Sequence, residues 1–293
     1  MALVSLREML QDARRKRYAV PMFDVSNVTM IRAAVEVAEE MNSPVILAAI
    51  EPDLAGNLLQ YWSQAAHFAA NSAKVPVCLH LDHATTFDLC VRCADAGFTG
   101  DMLDAPAEEF DKNVELTAQV CKEMRRRGVG VEAELGHVAT SAIGYGDNVS
   151  ESGHKDDSVS VFTEPASVVE FIDRTGVDAL AVSIGTAHGV YETAPKLDIE
   201  LLKEINRVSE VPLVLHGGSG TPDDQLRAAI ENGIAKINIY SELTSAWNGT
   251  MLEFLKSRKT MSCWMSVAWK EPEAALREVM RKKILLFGSN RQF

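Results

Sequence analysis

The segment YAVPMFDVSNVT, residues 18–29, joins a short apolar run to a helix start signal. The run from Tyr18 to Phe23 has the apolar and aromatic content of a buried strand. Ser26 and Asn27 then offer side-chain oxygens that can cap a following helix. An open doubly wound sheet would carry a glycine-rich phosphate-binding turn directly after its first strand. DVSNVT contains no glycine, so the segment disfavours such a sheet.

The same strand-then-helix pattern recurs along the chain. Further strands are predicted at 44–49, 75–81, 98–103, 129–135, 179–184, 212–215 and 235–239. Helical periodicity separates them at 28–41, 57–73, 111–127, 165–175, 199–208 and 223–232. Nearly continuous apolar strands that alternate with helices are typical of a parallel sheet covered by helices. Eight such units predict the α/β class and one (β/α)8 TIM barrel domain over residues 1–293.

Three segments fall outside this rhythm. Residues 136–165 form a long connection rich in Gly, Ser and Asp, which predicts a mobile active-site loop. Residues 241–293 predict extra C-terminal helices joined by a Trp- and Met-containing stretch around 262–269. The opening MALVSLREMLQDARRKR predicts an N-terminal amphipathic helix rather than a signal peptide, because its basic residues follow the apolar part.

Composition narrows the classes of partner. Lys and Arg number 29 and Asp and Glu number 41, which gives a formal net charge of −12. A chain this acidic is not expected to bind nucleic acid or an anionic membrane through a broad basic face. No apolar run approaches the length of about 18 residues that a membrane span requires. We therefore expect small-molecule partners.

The five cysteines, at 78, 90, 93, 121 and 263, are odd in number and scattered. This usage favours a reducing compartment, with the cytoplasm as the expected location. Cys90 and Cys93 have CxxC spacing, but they lie in a run that predicts helix, and no second pair is nearby. We interpret them as packing residues rather than as a redox or metal pair.

Polar side chains gather at the C-terminal ends of the predicted strands. They are Asp82, His83, Asp104, Glu132, Glu134, His188, His216 and Asn238. Barrel enzymes place their active sites at this rim, and burying polar groups elsewhere in a strand is costly. The clustering therefore predicts an active site there.

His83, His188 and His216 can converge on one ion, because three imidazoles with an open fourth position make a catalytic zinc site. Asp82 lies beside one candidate ligand and is the best candidate for a general acid/base. His80 shares a strand face with Asp82, and we interpret it as filling the barrel or supporting the ligands.

Asp104 and Glu134 add carboxylates to the same rim. They can form a second cation position or orient the ligand histidines. Alternatively, both residues form hydrogen bonds inside the barrel and have no role toward a metal.

Two glycine-rich turns predict a phosphate site. HGGSG at 216–220 and SIGTAHG at 183–189 follow the last two strands before the final one. Loops at this place in a barrel, with a helix N-terminus, commonly bind phosphate. Small residues at Gly189, Gly217 and Gly218 let backbone amides approach, while Ser219 and Ser241 add hydroxyl donors. A phosphorylated substrate is therefore expected.

The motifs LHLDHATTFD, VEAELG, DALAVSIGTAHGVY, VPLVLHGGSG and KINIYSEL resemble, in order and spacing, the zinc-dependent class II ketose-bisphosphate aldolases. The similarity is greatest to the tagatose- and fructose-bisphosphate group. It implies reversible cleavage of a phosphorylated ketose to dihydroxyacetone phosphate and an aldehyde through a zinc-stabilised enediolate. It also implies a homodimer or homotetramer.

The resemblance assigns roles to residues of this chain. His83, His188 and His216 would hold Zn²⁺, Asp104 and Glu134 would line a second metal position, and Asp82 would move the proton. The phosphate and triose would contact Gly189, Gly217, Gly218, Ser219, Asn238 and Ser241, with a monovalent cation nearby.

Some positions depart from the family pattern. A loop glutamate that acts on the enediolate proton is missing from HVATSAIGYGDN, so Asp147 or Glu151 is the candidate replacement. Asp24 stands where Asn is usual, and Asp101 where an apolar residue is usual. Two alternatives stay open: an aldolase of the same family acting on another phosphorylated sugar or sugar acid, or a non-catalytic sugar-phosphate binder.

Overall fold

Eight parallel strands close into one barrel in chain order, with β1 paired to both β2 and β8. The computed structural model describes residues 3–105, 109–140 and 161–293. The strands are β1 Val20–Asp24, β2 Val45–Ala49, β3 Val77–Ala84, β4 Gly100–Leu103, β5 Gly130–Leu135, β6 Ala179–Val182, β7 Leu213–Leu215 and β8 Ile234–Ile239. The predicted (β/α)8 barrel is confirmed.

Helices cover the outside of the barrel, with one before it and three after its last strand. They are α1 Leu6–Lys16, α2 Val28–Met41, α3 Leu58–Ser72, α4 Phe87–Asp95, α5 Phe110–Arg127, α6 Pro165–Thr175, α7 Ile199–Val208, α8 Asp223–Glu231, α9 Ser241–Lys256, α10 Met265–Ala268 and α11 Lys270–Leu286. Asn27 caps α2 through its side chain, as the sequence predicts. Pro222 precedes α8 as its cap residue.

Helix α1 closes the N-terminal end of the barrel. Its buried residues Leu6, Met9 and Leu10 join a compact inner core with side chains from the strands. A capping box between Ser5 and Glu8 begins the helix. The larger apolar core lies between the strands and the outer helices. With one end plugged by apolar side chains, the opposite end is left for polar chemistry.

The C-terminal helices pack against the start of the barrel. Helix α11 contacts α2 and α9, and Arg277 and Arg281 form ion pairs with Glu36 and Glu40 on α2. The stretch predicted to join two helices contains the short helix α10. Within the described ranges, no helix is long and apolar enough to cross a membrane.

Cys90 and Cys93 lie buried on α4, and both are free thiols. Burial raises the pKa of both thiols above its ordinary value. A buried, protonated thiol is a poor nucleophile and metal ligand, which agrees with their interpretation as packing residues.

Candidate active site

An irregularity at the end of β3 brings two neighbouring residues to the same site. Successive side chains of a regular strand point to opposite faces, so Asp82 and His83 could not both face the barrel centre. The pairing of β3 with β4 shifts register between Leu81 and Ala84, and His83 adopts a left-handed φ of 49°. Asp82 and His83 consequently both line one cavity.

Three imidazoles meet at this rim from three different strands. The ring centroid of His83 lies 5.0 Å from that of His188 and 4.8 Å from that of His216. One nitrogen from each ring lies within 4.8 Å of the others. The backbone N–H of His188 donates to the carbonyl of Ala139 (2.7 Å), which fixes the loop after β6. The predicted convergence of the three histidines is present in the structure.

Carboxylates surround two of these rings. Nδ1 of His83 lies 3.2 Å from Oδ2 of Asp104, and its Nε2 lies 3.9 Å from Oδ2 of Asp82. Burial alone would lower the pKa of His83, but Asp82 and Asp104 outweigh it and raise that pKa well above its usual value. Burial, followed by the charges of His83 and His216, lowers the pKa of His188 well below its usual value.

His216 lies between two carboxylates of β5. Its Nδ1 is 3.3 Å from Oε2 of Glu134, and its Nε2 is 2.9 Å from Oε1 of Glu132. Burial opposes protonation of this ring, but hydrogen bonds to both carboxylates raise the pKa of His216. The carboxylates therefore favour positive charge at the centre of the histidine cluster, whether protons or a metal ion carry it.

A second layer of charge lies below the histidines, and its lysine has no role in the sequence analysis. Lys236 of β8 is fully buried, and its Nζ lies 2.9 Å and 2.8 Å from the two oxygens of Glu132. His80 is also fully buried, with Nε2 3.8 Å from Oδ1 of Asp82. Burial, and next the charge of Lys236, lower the pKa of His80 to about 4, so its ring is neutral.

The glycine-rich turns form the opposite wall of the cavity. Gly217 has a φ of 65°, and a Cβ there would lie 2.4 Å from the carbonyl oxygen of Ala187. Oγ of Ser219 accepts hydrogen bonds from the backbone N–H groups of Tyr240 (3.2 Å) and Glu242 (3.3 Å) at the start of α9. Its own proton stays free to be donated. This wall offers a hydroxyl and a helix N-terminus to an anionic group.

The cavity between the two walls contains most of the residues predicted from the sequence. It is lined by Asp24, Asp82, His83, His188, Gly189, Gly217, Ser219, Asn238, Tyr240 and Ser241. Nδ2 of Asn238 donates to Oδ1 of Asp82 at 3.4 Å. Acid/base, metal-ligating and anion-binding groups thus share one small space.

Comparison with known proteins shows which family has this combination of groups. Residues 4–292 match the family described as fructose-bisphosphate aldolase class-II. The chain belongs to the class II fructose-bisphosphate aldolase family. It is therefore an aldolase, a carbon–carbon lyase of carbohydrate metabolism.

Three relatives are similar over most of their lengths. A fructose-bisphosphate aldolase of Geobacillus stearothermophilus is 37% identical over 87% of this chain and 86% of its own length. One from Staphylococcus epidermidis is 35% identical over 99% of both chains. The crystal structure of the YdjI aldolase from Escherichia coli K12 superposes with a TM-score of 0.85, at 33% identity over 99% of both chains.

Class II aldolases are generally metal-dependent, and the donors present here fit such an ion. Nε2 of His188 is buried and has no hydrogen-bond partner within the described ranges, although a buried polar atom is normally paired. The three imidazoles match the donor set of catalytic zinc sites, which keep a further position open for substrate. The cluster formed by His83, His188 and His216 is thus suited to hold an aldolase metal.

Gly218 packs against β8 rather than lining the cavity, because a Cβ there would lie 2.4 Å from Cγ2 of Ile237. Asp147 and Glu151, the candidate replacements for the loop glutamate, lie outside the described residues, as does most of the predicted loop at 136–165.

The sequence reading assigned no role to Tyr191, although the motif that carries it was recognised. Its hydroxyl accepts a hydrogen bond from the backbone N–H of Ala187 (2.8 Å) and lies 3.0 Å from the carbonyl oxygen of Gly217. Tyr191 thereby ties the loop after β6 to the loop after β7.

Proposed function

We propose that the chain is a zinc-dependent aldolase that reversibly cleaves a phosphorylated ketose to dihydroxyacetone phosphate and an aldehyde. The convergence of His83, His188 and His216 beside Asp82, across one cavity from the phosphate wall, carries this proposal. It accounts for three chemical needs of the reaction: polarising a ketone, moving a proton and holding a phosphate.

Asp82 is the proposed acid/base. In the cleavage direction its carboxylate takes the proton from the hydroxyl on the carbon that becomes the aldehyde. The adjacent carbon–carbon bond breaks, and its electron pair passes to the ketone-bearing fragment as an enediolate. Asn238 donates to Oδ1 of Asp82 and so holds the carboxylate in position.

His83, His188 and His216 would hold the zinc ion. Zinc, when bound, supplies Lewis-acid polarisation of the substrate ketone. Asp104 and Glu134 contact two of these rings, which supports their orienting role and leaves them available to a second metal position. On the phosphate wall, Gly189, Gly217, Ser219 and Ser241 would bind the phosphate, with a monovalent cation beside it.

A loop carboxylate, Asp147 or Glu151, would return a proton to the enediolate carbon. The ketose would be of the fructose- or tagatose-1,6-bisphosphate type. The chain would act in the cytoplasm as a homodimer or homotetramer, and the four buried free cysteines suit a reducing compartment.

The first test is deuterium exchange at the hydroxymethyl carbon of dihydroxyacetone phosphate, followed by NMR with and without a chelator. We expect exchange that a chelator abolishes and added Zn²⁺ restores. Binding of the triose phosphate without exchange would instead support the sugar-phosphate binder. If dihydroxyacetone phosphate neither binds nor exchanges deuterium, the proposal is refuted.

Comparing the rate of ketose cleavage with the rate of deuterium exchange distinguishes the proton transfer by Asp82 from the one at the enediolate carbon. Asp82→Ala should lower the cleavage rate by about 10²–10⁴, because general acid/base groups contribute about that much. Exchange into dihydroxyacetone phosphate should persist in this variant, since it does not require the aldehyde-side proton. His67→Ala is the control, because His67 lies on α3 away from the rim and should leave both rates unchanged.

A further inference from the structure

We propose that Glu132 and Lys236 form a buried positioning pair that determines which nitrogen of His216 faces the metal. The inference rests on the proposed zinc site, because it concerns how one ligand of that site is held. Neither residue lines the substrate cavity. They act on the reaction only through His216.

The contacts form one continuous chain across the inside of the barrel. Nζ of Lys236 contacts both oxygens of Glu132, at 2.9 Å and 2.8 Å, and Oε1 of Glu132 lies 2.9 Å from Nε2 of His216. All three side chains are fully buried. They come from β8, β5 and β7, so three separate strands fix the arrangement.

The chain of contacts sets the tautomer of His216. A neutral imidazole carries its proton on one nitrogen and a lone pair on the other. Both oxygens of Glu132 contact Nζ of Lys236, so Glu132 is a paired carboxylate, which accepts hydrogen bonds and donates none. When the ring is neutral, as a metal ligand must be, Nε2 of His216 therefore donates to Glu132. The lone pair then lies on Nδ1, the nitrogen on the side of Glu134.

Lys236 keeps Glu132 in this role. A buried carboxylate without a counter-charge is strongly unfavourable, and it would relax by shifting or by taking up a proton. Because Lys236 engages both oxygens of Glu132, the carboxylate is held in place as well as neutralised.

Stability alone does not explain the pair. The neighbouring inner core is apolar, with Val20, Met22, Ile46 and Ala48 among its members. Replacing a buried ion pair by apolar side chains of similar size is often neutral or stabilising. A charged pair placed directly behind a candidate metal ligand has the geometry that orients such ligands in metal sites.

Two double variants test the proposal, and they differ only in whether residue 132 can accept a hydrogen bond. Glu132→Leu with Lys236→Met removes the pair and leaves Nε2 of His216 without its acceptor. Glu132→Gln with Lys236→Met also removes both charges, but the amide oxygen can still accept from Nε2. Both variants replace the ion pair by neutral side chains of similar size, so both are expected to fold.

The readout is zinc affinity of the apoprotein, measured by competition with a chromophoric chelator. The Glu132→Leu double variant should bind Zn²⁺ about 10–100-fold more weakly than the wild type, which is the usual effect of losing such a partner. The Glu132→Gln double variant should stay closer to the wild type. The visible absorption of bound Co²⁺ should change in the first variant and be retained in the second.

Asp101→Asn is the matched control, because it also converts a buried carboxyl to an amide but contacts Cys90 of the outer helix α4. It should leave zinc affinity unchanged. Equal zinc affinity in the wild type and in both double variants would overturn the proposal. If the variants then differ from the wild type only in melting temperature, measured by circular dichroism, the pair is purely structural. Failure of the wild type itself to bind Zn²⁺ would instead refute the proposed function.

Discussion

Asp101 carries a carboxyl group into the apolar layer between the barrel and its helices. It is almost fully buried on β4, and its electrostatic neighbours are the thiols of Cys90, Cys93 and Cys121. Burial raises the pKa of Asp101 to about 7. Asp101 is one of the positions at which the sequence departs from the family pattern, and no step of the proposed reaction uses it.

This pKa makes stability depend on pH. The carboxyl ionises near 3.8 in the unfolded chain and near 7 in the folded one, so the unfolded state loses its proton first as pH rises. The free energy of unfolding should therefore fall between these two values, by up to about 1.4 kcal/mol per pH unit. Below the lower value the neutral group imposes no such penalty.

Asp101→Asn should remove this dependence. The amide cannot ionise, so the variant should be more stable than the wild type above about pH 7 and should lose its advantage near pH 4. Urea unfolding across that range measures the effect. Asp173→Asn on the exposed face of α6 is the control, and an unchanged pH slope in the Asp101 variant would contradict the assignment.

At the scale of single elements, the strands could be predicted because apolar runs and helical periodicity report them directly. The end of β3 could not, because Asp82 and His83 are polar and interrupt the apolar pattern while the strand continues to Ala84. The register shift that turns both toward the site depends on pairing with β4, which a local pattern does not contain.

In the inner layer of the site, Glu132 and His80 were singled out from the sequence, but Lys236 was missed. Lys236 lies two residues before Asn238, so strand alternation places both side chains inside the barrel. That spacing was a usable signal for an inward-facing lysine. Its partner, however, is Glu132 on a strand across the barrel, and no local pattern pairs the two residues.

A substitution in the loop after β7 tests how the shape of this loop affects phosphate binding. Gly217→Ala should weaken binding of dihydroxyacetone phosphate and destabilise the fold by about 1–3 kcal/mol, since its φ of 65° and the carbonyl oxygen of Ala187 leave no space for a Cβ. Calorimetric titration and urea unfolding measure the two effects.

Gly249→Ala is the control for Gly217→Ala, because it makes the same substitution in a neighbouring helix. Gly249 lies inside α9, where a Cβ would meet no atom within 4 Å. The substitution should stabilise the helix by about 0.5–1 kcal/mol and leave ligand binding unchanged. Equal behaviour of the two glycine variants would show that the turn at Gly217 tolerates a side chain.

At the scale of the whole molecule, the site and the barrel support each other. The three histidines come from the end of β3 and from the loops after β6 and β7, so a bound ion would link distant parts of the closed sheet. These parts meet only when the barrel has formed. A metal that binds this cluster therefore binds the folded chain in preference to the unfolded one, and its binding free energy adds to stability.

Zinc should consequently raise the melting temperature of the chelator-treated protein. Free Zn²⁺ at about 100 times the dissociation constant adds about 2.7 kcal/mol, which corresponds to about 5 °C for a chain of this size. The rise should disappear in His216→Ala, which lacks one ligand, and persist in His67→Ala, whose ring contacts the carbonyl of Ala96 on the helical layer instead. A rise of the same size in both variants would place the stabilising zinc elsewhere, because only the first removes a donor that the barrel rim brings together.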